Sequence, residues 1–209
     1  TDALPAALDL SAIATAGLFG TAIAVQRRMP IVGVMLIGVL TALGGGMLRD
    51  LLLGVPVVAM RDDLYLPVAV TAAVLGIPLA RRIVNHPWIG LILDGLVLGL
   101  FTFVGTEKAL LLGFSIVACI FVGMTTSIGG GTIVEVMVGS RPTILEHGPW
   151  FATAALVGAL LAVSLYGRLP ENLVATIAVL TVATLRITSV KLDFAAPSVK
   201  TLQQLRKRS

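Results

Sequence analysis

The sequence predicts an all-α integral membrane protein with seven transmembrane helices, arranged as two inverted three-helix repeats followed by a seventh helix. The first observation behind this prediction is the composition. Apolar residues make up 57% of the 209 residues and charged residues only 12%, with a mean hydropathy of +1.01. Soluble domains carry about 25% charged residues. The second observation is an internal repeat with a displacement of 85 positions.

The apolar stretches have the length of membrane spans. A bilayer core about 30 Å thick needs roughly 20 apolar helical residues, and neither 31–48 nor 109–134 contains a charged residue. We predict spans at 4–26, 31–53, 64–82, 88–110, 116–138, 149–167 and 171–190. Prolines lie at or near the proposed breaks, where helix starts tolerate them: Pro30, Pro67, Pro87, Pro149 and Pro170.

The basic residues predict the orientation. Seven spans place the loops after helices 1, 3 and 5 on the side of the C-terminus. That side holds Arg27, Arg28, Arg81, Arg82, Arg141, Lys191, Lys200, Arg206, Lys207 and Arg208, and the other side holds only Arg61 and Arg168. This bias predicts an integral cell-membrane protein with its N-terminus outside and its C-terminus cytoplasmic. Because the charges would not lie on one folded face, we expect membrane lipids, and no nucleic acid, as partners. No basic n-region precedes the first span, so we expect that helix to remain in the mature protein.

The repeat is visible in glycines and in charges. The triplet Gly44-Gly45-Gly46 recurs as Gly129-Gly130-Gly131, and the same shift of 85 places Asp9 on Asp94 and Asp50 on Glu135. Each unit has three spans, so the second unit must enter the membrane in the opposite direction, as in many transport proteins. We predict repeats at 1–83 and 84–168, a seventh helix at 169–191 and a basic cytoplasmic tail at 192–209.

The two glycine triplets predict breaks in helices 2 and 5. Glycine lowers helix propensity by about 1 kcal/mol relative to alanine, and irregular backbone in a membrane is tolerated inside protein or along a watery cavity. Carbonyl groups freed there would bind a transient monovalent cation in place of its hydration shell. The alternative is close helix packing through small residues.

Charged residues follow each triplet at the same spacing. Arg49 and Asp50 follow the first and Glu135 follows the second, whereas the counterpart of Arg49 is Val134. A charge at membrane depth indicates a functional site. We predict that Asp50 and Glu135 flank one cation pathway and that Arg49 neutralises a carboxylate or acts as a gate. A purely structural ion pair is the alternative.

Other polar residues are secondary candidates. Asp9, Asp94, Lys108 and Arg186 are predicted to be gating or structural charges. As structural charges, Asp9 and Asp94 would cap helix ends or bind a basic residue, and Lys108 and Arg186 would extend toward the membrane surface. Thr125, Thr126 and Ser127 would either offer hydroxyl groups to an ion or bond back onto their own helix.

Enzyme functions find no support in the sequence. His86 and His147 lie in predicted loops, and neither a zinc-protease motif, a nucleophile elbow nor a phosphate-binding loop is present. We therefore predict neither an enzyme, a cofactor nor a structural metal site.

The run from Gly44 to Pro56, GGGMLRDLLLGVP, resembles the GGGxxRDxLxGxxP signature of the prokaryotic TRIC family, the trimeric intracellular cation channels. The resemblance extends over nearly the whole chain. It implies a homotrimer in which each subunit has its own pore, lined by kinked helices 2 and 5 and selective for monovalent cations, chiefly potassium. The second copy departs from the pattern, with Val134-Glu135 in place of Arg-Asp.

Two other functions stay open at this point. Members of the bacterial group that this sequence resembles are also described as small amino-acid transporters. A secondary transporter of a small solute such as glycine is therefore the alternative, and inverted repeats with broken helices would suit it equally well. A membrane scaffold is the third alternative, although a scaffold would not need charges beside both triplets.

Overall fold

The computed structural model describes residues 3–145 and 150–193 of the chain. Within them the protein is all-helical, without strands, which confirms the predicted fold class. The seven α-helices are α1 (Ala3–Gln26), α2 (Ile31–Leu52), α3 (Tyr65–Asn85), α4 (Pro87–Leu111), α5 (Ile116–Met137), α6 (Ala152–Leu165) and α7 (Glu171–Lys191). All but α6 are long and apolar enough to cross a membrane.

Helix α6 is shorter than the predicted span 149–167. It has 14 residues, or roughly 21 Å at 1.5 Å per residue, so it does not cover a bilayer core by itself. It ends where Gly167 adopts a φ of +72°. Pro149, the predicted start of this span, lies outside the described residues, as does the predicted basic tail from residue 194 onward.

Helices α1 and α4 occupy the middle of the bundle. Helix α1 packs against α2, α3 and α4, while α4 also packs against α5, α6 and α7. Apolar side chains fill the space between them, including Ile13 and Phe101 on the α1 side of α4 and Phe103 and Val104 toward α6 and α7. The bundle therefore has two halves that meet along α1–α4 and α2–α5.

The same turn ends α2 and α5. Gly54 and Gly139 have φ values of +66° and +72°, a region in which a Cβ atom would be strained. After α2, the N–H of Val55 donates to the carbonyl of Asp50 at 3.0 Å, and after α5 the N–H of Ser140 donates to the carbonyl of Glu135 at 2.8 Å. Both are Schellman caps, and each leads into a 3₁₀ turn, Val58–Met60 in one half and Thr143–Leu145 in the other.

Threonine–glycine packing also recurs at the displacement of 85. A Cβ atom at Gly20 would overlap Thr41, and one at Gly105 would overlap Thr126. The reverse contacts also occur. Thr21 of α1 packs against Gly38 of α2, and Thr106 of α4 packs against Gly123 of α5. The contact between α1 and α2 is thus repeated between α4 and α5.

Helices α2 and α5 are continuous through both glycine triplets, so the predicted helix breaks are wrong. The glycines serve a close crossing of the two helices instead. A Cβ atom at Gly45 would overlap the carbonyl oxygen of Thr126, and one at Gly130 would lie 2.9 Å from the backbone nitrogen of Gly45. An unbroken helix keeps its backbone groups paired in the membrane, and glycine lets the two backbones touch.

The glycine crossing predicts different effects on stability for Gly→Ala substitutions in the two glycine triplets. Gly45→Ala should destabilise the protein by about 1–3 kcal/mol, because its methyl group meets backbone that cannot move aside. Gly131→Ala should be neutral or stabilising by up to about 1 kcal/mol, since nothing lies within 4 Å of the added carbon. Thermal unfolding of the two variants in detergent checks this, and equal melting temperatures would contradict it.

Candidate functional site

Arg49 is the centre of an ion cluster near the C-terminal end of α2, called here the outer ion cluster after the orientation predicted from the basic residues. Its Nε lies 2.8 Å from Asp50 Oδ1, and its two Nη atoms lie 3.1–3.2 Å from the carboxylate of Asp9 on α1. Tyr65 donates its hydroxyl to Asp9 at 3.2 Å, and Lys108 of α4 reaches Asp50 Oδ1 at 2.7 Å. Arg49 is 1% exposed. Two cations thus balance two carboxylates, as burial of charge requires.

The acidic residues after the triplets hold the following turns. Asp50 accepts a hydrogen bond from the N–H of Val58 at 2.9 Å. Its counterpart Glu135 accepts one from the N–H of Thr143, also at 2.9 Å, and another from the Thr143 hydroxyl. Both carboxylates therefore have a structural partner, but only Glu135 also lines a large cavity.

A second ion pair lies at the opposite end of the bundle. Arg186 of α7 places its Nε 2.8 Å from Asp94 Oδ2 on α4, and its guanidinium carbon lies 4.9 Å from the ring centre of Phe151. This arrangement combines an ion pair with a cation–π contact. Asp94 and Asp9 are thus both bound to arginine, one of the two roles predicted for them.

Two adjoining cavities lie beside this inner pair. The larger, here the inner cavity, has a volume of about 230 Å³ and is lined by Arg27, Asp94, Glu135, Thr143 and Arg186 among mostly apolar side chains. The smaller, here the deep cavity, has a volume of about 50 Å³ and extends to Thr126, Ser127 and Gly130. The two cavities share five lining residues: Phe19, Thr41, Asp94, Gly131 and Phe151.

The outer ion cluster has little open space around it. The cavity beside Arg49, Asp50 and Gly46 measures only about 10 Å³, which is close to the lower limit for holding one water molecule. The crossing of Gly45 with Gly130 separates this cavity from the deep cavity. Open space within the subunit therefore extends from the inner cavity to the glycine crossing and is nearly absent beside Arg49.

The structure separates Asp50 from Glu135. Asp50 belongs to the outer ion cluster, whereas Glu135 faces the inner cavity. Helix direction explains the separation, because α2 carries Asp50 to one end of the bundle and α5 carries Glu135 to the other. The two residues do not face each other across one narrow point.

The hydroxyl groups before the second triplet bond back onto α5. Thr125 and Thr126 donate to the carbonyls four residues earlier at 2.6 Å, and Ser127 donates to Met124 at 2.9 Å. Their oxygen atoms keep acceptor capacity, and Thr126 and Ser127 line the deep cavity.

Lys108 and Arg186 bind carboxylates within the bundle, with side chains that are 25% and 12% exposed. Their extension toward the membrane surface stays a prediction. Lys108 pairs with Asp50 on α2. The adjacent residue on α4 points in a different direction, because consecutive side chains on a helix do not face each other. That residue, Glu107, is buried against Glu171 at the start of α7.

Sequence reasoning missed several residues of the site. Thr41 has a signal, since it is the counterpart of Thr126 at the displacement of 85. The others show no signal that marks them in the sequence, because each reaches the site from a distant part of the chain: Phe19, Arg27, Tyr65, Thr143 and Phe151.

Comparison with known proteins places this geometry in a family. A family model described as Glycine transporter matches residues 6–81 and again 91–167. A UPF0126 membrane protein of Deinococcus radiodurans is 31% identical over 73% of this chain and 72% of its own length. The UPF0126 inner membrane protein YadS of Escherichia coli is 33% identical over 76% of this chain and 77% of its own.

Solved structures of similar fold are cation channels by their description. The TRIC trimeric intracellular cation channel orthologue from Rhodobacter sphaeroides matches with a TM-score of 0.83 and 30% identity, over 90% of this chain and 98% of that one. A prokaryotic TRIC channel in 0.5 M KCl matches with a TM-score of 0.81 and 25% identity, over 92% and 98%. This chain therefore belongs to the prokaryotic TRIC family of membrane proteins, which includes the UPF0126 proteins.

Proposed function

We propose that this protein is a channel for monovalent cations, with a preference for potassium and a pathway inside each subunit between α2 and α5. The observation that carries the proposal is the pair of adjoining cavities, which hold the carboxylates of Asp94 and Glu135 and end at the glycine crossing. The likeness to structures described as cation channels supports it. The preference for potassium rests on the family resemblance.

The pathway proposed here runs from the inner cavity through the deep cavity to the outer ion cluster. Glu135 raises the local cation concentration at its inner end, whereas Asp94 is already neutralised by Arg186. The residues proposed to line it are Gly44, Gly45, Gly46, Arg49, Asp50, Thr125, Thr126, Ser127, Gly129, Gly130, Gly131 and Glu135.

Arg49 is the proposed outer barrier. A cation cannot pass a buried guanidinium that occupies both carboxylates of the outer ion cluster, and Coulomb repulsion adds to the steric obstruction. Conduction therefore requires Arg49 to leave Asp9 or Asp50. Because Lys108 also binds Asp50, that carboxylate keeps a cationic partner when Arg49 moves.

We also propose that residues 1–83 and 84–168 are inverted repeats in a homotrimer, with 169–191 as an added helix, the N-terminus outside and the C-terminus inside. Supporting this, the family model matches each half once, and each half contains three helices. The capping turns and the threonine–glycine contacts recur at a displacement of 85.

A transporter of a small zwitterion such as glycine is the second candidate. The inner cavity offers both charges, since Arg27 and Arg186 would attract a carboxylate while Asp94 and Glu135 would attract an ammonium group. The description of the family model points the same way.

Electrical recording distinguishes the two functions. Purified protein in a planar bilayer under a potassium chloride gradient should show discrete current steps that reverse near the potassium equilibrium potential. Liposomes that take up radiolabelled glycine with saturation, beside a bilayer without current steps, would instead establish the transporter.

Removing the outer barrier in a charge-balanced way should open the channel. Arg49→Met combined with Asp9→Asn removes one cation and one anion, so stability should change little, and open probability should rise. Arg49→Met alone should destabilise the protein by about 3–5 kcal/mol, because it leaves Asp9 buried without its cation. Single-channel recording and thermal unfolding of both variants provide the check. Unchanged gating in the stable double variant would remove Arg49 from the barrier.

Glu135→Gln should lower conductance for ions entering from the inner side. Glutamine keeps an acceptor for the Thr143 N–H, so the turn should persist. A unit charge about 5 Å away in water changes the local cation concentration roughly fourfold. The decrease should be large in 20 mM potassium chloride and nearly absent in 1 M, where screening is strong. A decrease that is equal at both salt concentrations would indicate a structural effect.

A further inference from the structure

The two halves differ in how they neutralise an equivalent aspartate. Asp9 is bound by Arg49 of α2, and the residue equivalent to Arg49 in the second half is Val134. Asp94, the equivalent of Asp9, is nevertheless bound by an arginine, Arg186 of α7, at 2.8 Å. The seventh helix thus supplies the cation that the second half lacks.

A glycine seam on α4 places Arg186 within reach of Asp94. A Cβ atom at Gly95 would lie 3.1 Å from the Cα of Ala183, and one at Gly99 would lie 3.1 Å from the Cα of Val179. The backbones of α4 and α7 are therefore in contact, and Arg186 follows Ala183 by one turn. This contact holds the backbone of α7 beside α4, and from there the Arg186 guanidinium reaches Asp94.

Arg186 contacts two of the five residues that line both cavities. It forms the ion pair with Asp94 and lies over the ring of Phe151, and both of these residues are shared by the inner and deep cavities. Arg186 thus connects two of the side chains that lie where the two cavities adjoin. It joins α4 to the segment that leads into α6.

We propose that Arg186 of α7 closes the pathway at its inner narrow point, as Arg49 does at the outer end. Movement of Arg186 away from Asp94 and Phe151 widens the connection between the inner cavity and the deep cavity. This inference rests on the proposed pathway between α2 and α5. It gives α7 a positioning role, although the helix lies outside both repeats.

The exposure of the two ion pairs indicates which closure opens more easily. The side chains of Arg186 and Asp94 are 12% and 18% exposed, whereas those of Arg49 and Asp9 are 1% and 6% exposed. A partly wetted pair is held less strongly than a dry one, because water replaces the lost contacts when the pair separates. The inner closure should therefore open before the outer one.

Cysteine accessibility tests the closure without requiring ion current. Ser127 lines the deep cavity and not the inner one, so Ser127→Cys in a Cys119→Ala background reports access beyond the narrow point. A charged thiosulfonate reagent is added from the inner side of oriented liposomes. Asp94→Asn with Arg186→Met, which keeps the charge balance, should increase the labelling rate by roughly fivefold or more.

Moving the arginine from α7 to α5 provides a matched control for the labelling experiment. Val134 lines the inner cavity and is the equivalent of Arg49, so Val134→Arg in an Arg186→Met protein should restore slow labelling. Val138 lines the same cavity one turn further along, and Val138→Arg in the same protein should not restore it.

Three outcomes decide between the inference and the proposed function. Equal labelling rates in the parent and in the charge-balanced double variant would overturn the inner closure. If that variant does not fold, Arg186→Lys serves instead, since it keeps the charge and loses the planar contact with Phe151. Labelling of the Arg186→Lys protein at the slow rate of the parent would overturn the inference. Faster labelling in the variants, together with a wild-type protein that carries no cation current, would contradict the channel and support the inner closure.

Discussion

The close crossing of α2 and α5 is the constraint on which the rest of the structure depends. Glycine at positions 45 and 130 lets the two backbones come into contact, which no residue with a Cβ atom would allow. The crossing sets the direction in which each helix leaves the centre. It therefore places Asp50 and Glu135 at opposite ends, and it divides the interior into a nearly filled outer part and an inner part with cavities.

Charge neutralisation is the second organising factor. In an apolar environment a charged side chain must find a partner, and the two ends meet this requirement differently. The outer ion cluster contains four charged residues, of which Asp9, Arg49 and Asp50 are buried, whereas both members of the pair Asp94–Arg186 are partly exposed and face a cavity. The two halves thus share their backbone contacts but differ in where their charged residues lie. That difference suits a pathway that is closed more firmly at one end.

The inner cavity explains why a channel and a transporter are both reasonable functions for this fold. It contains carboxylates that attract cations, and arginines that would also hold an anionic group. A channel needs its two closures to open together, whereas a transporter needs them to open in turn. The two proposed closures lie one at each end of the proposed path, so the coupling between Arg49 and Arg186 becomes the property that distinguishes the two mechanisms.

Hydropathy was sufficient for the helix positions apart from the length of α6, because membrane spans depend on local composition. The family followed from the motif between Gly44 and Pro56. Hydropathy and the motif were insufficient for the site. The pairs Asp9–Arg49 and Asp94–Arg186 join residues 40 and 92 positions apart, and local patterns do not encode such distances. The triplets illustrate the same limit: glycine weakens an isolated helix, but contact between α2 and α5 makes its missing side chain favourable. The break predicted from local propensity became a crossing, because tertiary packing stabilises the helix more than propensity destabilises it.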